Sequence, residues 1–521
     1  MRRRYLNLRA FFGPALVWAC SLAFCVYAAE KSAAYRAAWE SITSEDLTRH
    51  VQLLADKQME GREAGTRGSR RAAAYLIEQF TQLQLQPAGT GGKFEQDFYP
   101  NFRNILGIIP GNDPELKNEV IVVGAHYDHV GFGNRRNSYG PYDKIHPGAD
   151  DNASGTSALM ELAQAFGLLP EPPKRSILVA AWDAEEKGLL GSKHWVSHPT
   201  VPLDKIVVMF NLDMIGHLRD DQLHVFGWRS GCGWRRLISR QNDELSLQLE
   251  FTWNLKRDAD YYPFFEHGIP VLMFHTGLHE YYHRPSDTAD LINGEGMSRV
   301  VRLFFSAVYE LAESGEKIPF RKAAGRETPE TEKSILRQII RPAERLGVAM
   351  DTNPAPEGGV RLVRVTAGSP AEKAGLKPGC RILRCAGREV RCDDDLIGAV
   401  MSAESPMELV LQRQDQDKPE IIRVELAGQP LRLGITWRVD EAEPGAIILT
   451  YVIPGSPAAR AGLQAGDRIY QIAGQDFADE AAFVELVKTL PDPLELLVER
   501  DGQVHTVLIQ INPAEPLKRA A

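Results

Sequence analysis

The 521-residue sequence predicts an α/β protein with a mostly parallel sheet and helices on both faces, followed by two copies of one small domain. Two observations carry this. From Asn104 to Ser314, short apolar runs alternate with amphipathic segments, the pattern of strand–helix units in a parallel sheet. Beyond residue 318, "GSPAEKAGLKPGCRILRCAG" (Gly368–Gly387) returns as "GSPAARAGLQAGDRIYQIAG" (Gly455–Gly474), and "RLGV" (Arg345–Val348) returns as "RLGI" (Arg432–Ile435) at the same offset. A repeat of this length marks a duplicated structural unit.

Residues 1–29 stand outside this plan. Arg2, Arg3 and Arg4 precede an apolar run from Phe11 to Tyr27, and Val26 and Ala28 are small residues placed as at a cleavage site. This reads as a signal peptide, so the mature protein is expected in the periplasm or outside the cell. Lipid attachment at Cys25 and a retained signal anchor are the alternatives. No later segment is long and apolar enough to span a bilayer. The formal net charge of −9 argues against a general affinity for nucleic acid. Cys232, Cys380, Cys385 and Cys392 are too sparse for a disulfide scaffold, and Cys385 matches Ile472 in the repeat, which makes it a core thiol.

The sheet-bearing unit is expected over residues 30–318. Ser44 to Leu85 is largely helical, with Ser44 at a capping position. Strands are expected at Val120–Ala125, Ser176–Ala181, Lys205–Leu212 and Ile269–Phe274, and helices at Thr156–Leu169, within "LLGSKHWV", and from Met297 to Ser314, where Val300, Val301, Phe304, Phe305, Val308 and Leu311 form one face. The polar, Pro-containing stretch 319–341 reads as a linker, and the two repeats are bounded as 342–429 and 430–515.

Chemistry-bearing residues follow the strands. "VVGAHYDH" carries His126 and Asp128, "AAWDAEEKG" carries Glu185 and Glu186, "FNLDMIG" carries Asp213, and "FHTGLHEYYHRPSDT" carries His283. "PGADDNASG" (Pro147–Gly155) stands just before a helix, with Asp150 and Asp151 among small residues. Ligands of an open α/β sheet bind beyond the carboxyl ends of its strands. Five segments therefore bring acids and imidazoles to one rim, with no matching set of Lys or Arg. Unpaired buried charge costs several kcal/mol, roughly, so a pair of divalent cations is the natural counter-charge. Carboxylate and imidazole suit zinc, which keeps an open position for water or substrate in catalytic sites. One aspartate of the pair can bridge two metals. The other orients it or caps the following helix.

"GAHYDH", "PGADDNASG", "AEEKGLLGS", "NLDMIG" and "YHRPSDT" together resemble the motifs of the co-catalytic zinc peptidases that include bacterial leucyl aminopeptidase, aminopeptidase Y and glutamate carboxypeptidase. The resemblance runs from about Ser44 to Ser314. It implies a zinc exopeptidase fold, two Zn²⁺ per chain, and peptide substrates with a free N-terminus. It implies one zinc on His126, Asp150 and Asp213, the other on Asp150, Glu186 and His283, and a cis peptide between Asp150 and Asp151. Glu185 is then the general base acting on a metal-bridging water, with Asp128 behind His126 and Tyr282 at the oxyanion, Tyr281 or a merely structural Tyr being the alternatives. His129, His146, His194, His217, His275 and His279 read as surface or supporting groups, Asp183 as a rim acid, and "MEGREAGTRGS" (Met59–Ser69) as a turn before a helix. Glutaminyl cyclase, with one zinc on the same sheet, is the rival enzyme. A scaffold built on an inactive peptidase is the rival of another class, yet no motif residue is missing.

The two repeats resemble bacterial protease-associated PDZ domains, small and β-rich. By that resemblance Leu346, Gly347 and Val348, and Leu433, Gly434 and Ile435, stand in the loops whose N–H groups receive a peptide or protein C-terminus, and the groove alongside binds peptide by strand addition. Serving as interdomain struts is the alternative.

Overall fold

A computed structural model of the chain describes residues 32–351, 358–489 and 491–511. The signal-peptide reading falls on residues 1–29, outside them. Nine strands form the main sheet: β1 (Gln86–Pro87), β2 (Glu95–Phe98), β3 (Phe102–Ile109), β4 (Val120–His126), β5 (Ser176–Trp182), β6 (Ile206–Leu212), β7 (Gln222–Phe226), β8 (Gln248–Phe251) and β9 (Val271–His275). Their order is β1-β3-β5-β4-β6-β9-β7-β8, with β2 paired to β3. The central strands β5, β4, β6 and β9 are parallel. Antiparallel β3 and β7 flank them. The sequence reading missed the flanks, because β7 and β8 are four- or five-residue strands of mixed polarity.

Side-chain alternation in β4 explains the layers. Every residue of β4 is buried. Ile121, Val123 and Ala125 enter a core on one face, and Val120 and Val122 enter a second core on the other. The first core holds α1 (Ala33–Glu40), α2 (Ser44–Leu54), α3 (Arg67–Gln82) and α4 (Gly155–Gly167). The second holds α5 (Leu190–Ser197), through Trp195. Chain order then gives α6 (Trp234–Gln241), against the first core, α7 (Tyr262–Glu266), against the second through Phe264, and α8 (Gly294–Glu313), against the first. Because β4, β5, β6 and β9 run in one direction, the loops leaving them at residues 126, 182, 212 and 275 gather along one edge.

The expected linker is not free chain. It contains α9 (Pro329–Leu336), and Phe320 bridges back to Gly231. Two β-rich units follow. The first has β10 (Val348–Met350), β11 (Val360–Val365), β12 (Arg381–Cys385), β13 (Arg388–Glu389), β14 (Met407–Gln412) and β15 (Glu420–Val424), with helices α10 (Pro370–Lys373) and α11 (Asp393–Ser402). The second repeats it as β16 (Ile435–Arg438), β17 (Ile447–Val452), β18 (Arg468–Ile472), β19 (Gln475–Asp476), β20 (Leu494–Arg500) and β21 (Gln503–Ile509), with α12 (Pro457–Arg460) and α13 (Glu480–Lys488). Both sheets have the same order.

The second β-rich unit is docked on α6 and its surroundings by buried charge. Arg229 pairs with Glu327 at 2.6 Å and Asp440 at 2.9 Å, and lies 3.5 Å over the Trp253 ring. Arg235 pairs with the fully buried Glu499 at 2.9 Å, and Arg468 lies 3.6 Å from the same carboxylate. Gly233 N–H donates to the Ala442 carbonyl, and Ala442 belongs to the main core. Asn242 donates to the Gly502 carbonyl at 3.0 Å. Gly502 has φ +80°, and a Cβ there would meet Leu249 at 2.5 Å.

Removing one partner of a buried ion pair strands the other charge. Glu499→Ala should lower unfolding free energy by about 3–5 kcal/mol. Denaturant unfolding followed by fluorescence measures this. A loss under about 1 kcal/mol would mean that the interface is solvated and adds little.

Candidate metal centre

Among the described residues, three donor groups lie at the strand edge. His126, Asp151 and Asp213 form one, His129, Asp151, Glu186 and His283 a second, and Asp150, His217 and His279 a third. The first is built at the ends of β4 and β6. His126 Nδ1 lies 3.3 Å from the Asp128 carbonyl and 3.8 Å from the Asp128 carboxylate. Nε2 is thereby left facing Asp151 Oδ1 and Asp213 Oδ1, each at 3.4 Å. In the second group, His283 Nε2 is 2.9 Å from Asp151 Oδ2 and 3.1 Å from Glu186 Oε1. His129 Nδ1 is 3.0 Å from Glu186 Oε1 and 3.6 Å from Asp151 Oδ2. Asp151 thus offers one carboxylate oxygen to each group.

This corrects the reading of the aspartate pair. Asp150, expected at the bridge, points elsewhere. Its Oδ1 accepts the Gly216 N–H at 2.6 Å and the Ser154 hydroxyl at 3.1 Å, and its Oδ2 lies 2.9 Å from His279 Nε2. Tyr281 N–H donates to His279 Nδ1. That makes Nδ1 an acceptor, so Nε2 carries the proton that goes to Asp150. A nitrogen so protonated has no lone pair for a metal, and the third group is a hydrogen-bonded support. The non-proline cis peptide joins Asp151 to Asn152, not Asp150 to Asp151. Adjacent side chains leave a turn in different directions, and nothing in the letters "DD" says which faces the rim.

The small residues of "PGADDNASG" now have reasons. Gly148 has φ +59°, and a Cβ there would meet the Asp151 carbonyl at 2.3 Å and the His129 ring at 2.5 Å. A Cβ on Gly155 would meet the Asn152 side chain at 2.4 Å. Asn152 accepts from Gly155 and Met214 N–H and donates to the Leu212 carbonyl, tying the loop to the end of β6. Asp287 accepts the N–H groups of Asp150 and Asp151. Arg62, fully buried, donates to the carbonyls of Leu54, Tyr127, Pro147 and Gly148. Sequence reasoning gave no role to Arg62, Asn152 or Asp287; "MEGREAGTRGS" was the visible signal for the first. Ala184, Met214 and His283 hold positive φ values of 58°, 51° and 51° beside the donor residues. Such conformations cost roughly 1–3 kcal/mol each and persist where the surroundings enforce them.

The charge balance is lopsided. Burial pushes the Glu185 carboxyl well above its usual range, and neighbouring Glu186 adds to this. Burial alone would also raise Glu186, but His129 and His283 pull it below the ordinary range. Asp213 behaves likewise through His126. Burial would lower His283, yet Asp151 and Glu186 lift it to about 11. Burial takes Arg62 down to about 10 against the pull of Asp151 and Asp287, so it stays a cation. One buried guanidinium cannot balance these acids. The imidazole nitrogens and carboxylate oxygens, spaced about 3 Å apart, are the donor set that zinc takes. His126, with its far nitrogen turned to Asp128, has the arrangement of a metal-ligating imidazole.

The other predicted site residues are close by. Asp128 accepts the N–H groups of Glu185 (3.0 Å) and Glu186 (3.4 Å), fixing the loop after β5. Tyr282 stacks on His283 at 3.9 Å between ring centroids. Its phenol is raised by burial and by the charges of Asp151 and Glu186. His129, read from sequence as a supporting group, is instead wholly buried within the second group. In the first β-rich unit, Leu346, Gly347 and Val348 line a cavity of about 290 Å³ with α11 residues Leu396 and Val400, closed on one side by Tyr451 and Ile453 of the second unit. In the second unit, Ile435 borders a cavity of about 450 Å³. There Trp437 reaches across to Glu480, donating its indole N–H at 2.9 Å. Leu433 is buried in that unit's core, and Gly434 has φ +76°.

Comparison with known proteins agrees with this organisation. Residues 104–308 match the family model described as Peptidase family M28, and residues 448–500 match a PDZ domain model. The chain therefore carries an M28 peptidase domain and a C-terminal PDZ domain. Aminopeptidase YwaD of Bacillus subtilis is 30% identical over 240 residues, covering 41% of this chain and 46% of that protein. A probable glutamate carboxypeptidase of Arthroderma benhamiae is 39% identical over 104 residues, covering 19% and 12%. The chain thus spans less than half the length of these relatives. Among solved structures, BSAP, a zinc aminopeptidase from Bacillus subtilis, superposes with a TM-score of 0.43 at 20% identity, over 56% of this chain and 99% of that one.

The two aspartates are separable by zinc content. Asp151→Asn should lose at least one equivalent of zinc, because both groups share that carboxylate. Asp150→Asn should keep its zinc, since its oxygens serve Gly216, Ser154 and His279. Metal analysis after gel filtration measures both. Loss in Asp150→Asn with full retention in Asp151→Asn would reverse the assignment.

Proposed function

We propose that the chain is a di-zinc aminopeptidase that removes N-terminal residues from peptides, with export as its destination. The observation that carries this is Asp151, whose two carboxylate oxygens face two different donor groups. On this reading His126, Asp151 and Asp213 hold one zinc, and Asp151, Glu186 and His283 hold the other. When bound, the metals supply an acidified water and polarise the scissile carbonyl. Glu185 is placed to accept a proton from the attacking water and to return one to the leaving amine. Asp128 keeps the Glu185–Glu186 loop and the His126 ring in register. The Tyr282 hydroxyl is the donor for the oxyanion.

Preference for a free N-terminus is supported by charge. The excess of buried acids at this edge, Asp260 beside Glu185 among them, gives a negative field that favours an approaching ammonium over a terminal carboxylate. The relative named aminopeptidase YwaD points the same way. A one-zinc glutaminyl cyclase has less support, since it would leave one of two complete donor groups without use. The β-rich units are proposed to take peptide C-termini along Leu346–Val348 and Leu433–Ile435. Among the described residues no helix is long and apolar enough to cross a membrane.

Glu185→Gln keeps the shape and removes the base. Turnover of an aminoacyl chromogenic substrate should fall by about 10²–10⁴, with zinc content unchanged and KM little affected. Turnover near wild type would remove Glu185 from the chemistry.

A further inference from the structure

Resting on the aminopeptidase reading, we infer that Tyr139 is a specificity-determining residue: its ring walls the substrate cleft on the His283 side and favours peptides whose second residue is apolar or aromatic. The loop 131–146 that carries it follows β4 and leads into the Pro147–Gly155 turn. The loop is closed at its base. His146 N–H donates to the Gly131 carbonyl at 2.8 Å, and Lys144 N–H donates to the Phe132 carbonyl at 2.9 Å. A compact loop with joined ends presents its tip in a fixed place.

The tip is tied to the rim of the metal centre. Tyr139 N–H donates to the His283 carbonyl at 3.2 Å, and the Ser138 hydroxyl donates to the same oxygen at 3.0 Å. Arg284 donates to the carbonyls of Tyr139 and Gly140 at 2.9 and 3.1 Å. None of these bonds uses the Tyr139 ring. That ring stands 6.1 Å from the Tyr282 ring and 6.4 Å from the His283 ring, between centroids, yet Tyr139 is 64% exposed. A tyrosine that served packing would bury its ring; this one is held at the rim with most of its surface open. Phe132 and Tyr142 of the same loop are exposed as well, so the loop offers apolar surface beyond one ring.

Charge gives the direction in which a peptide lies. Asp260 is buried, its Oδ1 accepting the Ser192 hydroxyl at 2.5 Å and its Oδ2 without a partner among the described residues. It belongs to the first donor group's end of the site, where His126 and Asp213 act on its charge. Tyr139 belongs to the second group's end. A peptide with its ammonium toward Asp260 and its scissile carbonyl over Asp151 sends the residues that follow past His283. The second side chain then meets the Tyr139 ring, and an aromatic face takes apolar and aromatic groups in offset or edge-on contact. Such a contact acts on the binding of one class of substrate and leaves the groups that carry protons alone.

The test uses the full zinc-loaded chain with two N-terminally free peptides, Leu-Phe-Gly and Leu-Gly-Gly, which differ only in the second residue. The ratio of kcat/KM for the first to that for the second should fall about 5–10-fold in Tyr139→Ala, mainly through KM. It should be kept in Tyr139→Phe, which retains the ring. Tyr139→Gln has similar reach and no apolar face, and gives the same reading if Ala disturbs the loop. Calorimetric binding of both peptides to Glu185→Gln, with and without Tyr139→Ala, should show the same selective loss without turnover. An unchanged ratio in both Ala and Gln variants, or an equal fall in Tyr139→Phe, would overturn the inference. Wild type inactive on both peptides would remove the aminopeptidase reading, and the role of Tyr139 with it.

Discussion

Excess negative charge at one edge of the sheet governs the structure around it. Asp128, Asp150, Asp151, Asp213 and Asp287 are all buried there, and Glu185 and Glu186 stand beside them. Arg62 is the buried guanidinium among them, and it spends its donors on four carbonyls. Much of the local architecture follows from holding acids together. Backbone N–H groups are turned toward Asp128, Asp150 and Asp287. Imidazoles are placed between Asp151, Asp213 and Glu186. Gly148 and Gly155 stand where any side chain would push the loop away from its partners. On the two-zinc reading, a pair of cations would complete what the protein has assembled.

The sequence showed the five segments because each follows a strand of a parallel sheet, where topology alone brings loop residues together. It did not show which of Asp150 and Asp151 faces the rim. That choice is made by the left-handed Gly148 and the irregular turn at Ala149–Ser154, not by residue type. Arg62 was unreadable for a different reason. It acts on carbonyls of distant segments, and carbonyls have no letter in a sequence. His129 was read only as a supporting group because nothing in "HYDH" tells that its second imidazole lies buried against Glu186 and Asp151. Strands β7 and β8 were missed as short segments of mixed polarity, whereas β4 and β5 announced themselves as continuous apolar runs.

The duplicated unit was legible as a repeat, and its two sheets do share one strand order. What the repeat could not show is unequal use. The second copy contributes Ala442 to the main core and Glu499 to a buried pair with Arg235. It is physically part of the peptidase body. The first copy presents its Leu346–Val348 loop to an open cavity, partly walled by the second. The two copies of one fold thus differ in how they meet the sheet-bearing unit: the second carries the buried pairs to it.

The central claim is that Asp151 bridges two zinc ions. Diffraction from zinc-loaded crystals on the two sides of the zinc absorption edge tests it most directly. The account predicts two anomalous peaks, one beside Asp151 Oδ1 with His126 and Asp213, the other beside Asp151 Oδ2 with Glu186 and His283. A single peak, or a peak on Asp150 with His217 and His279, would contradict it.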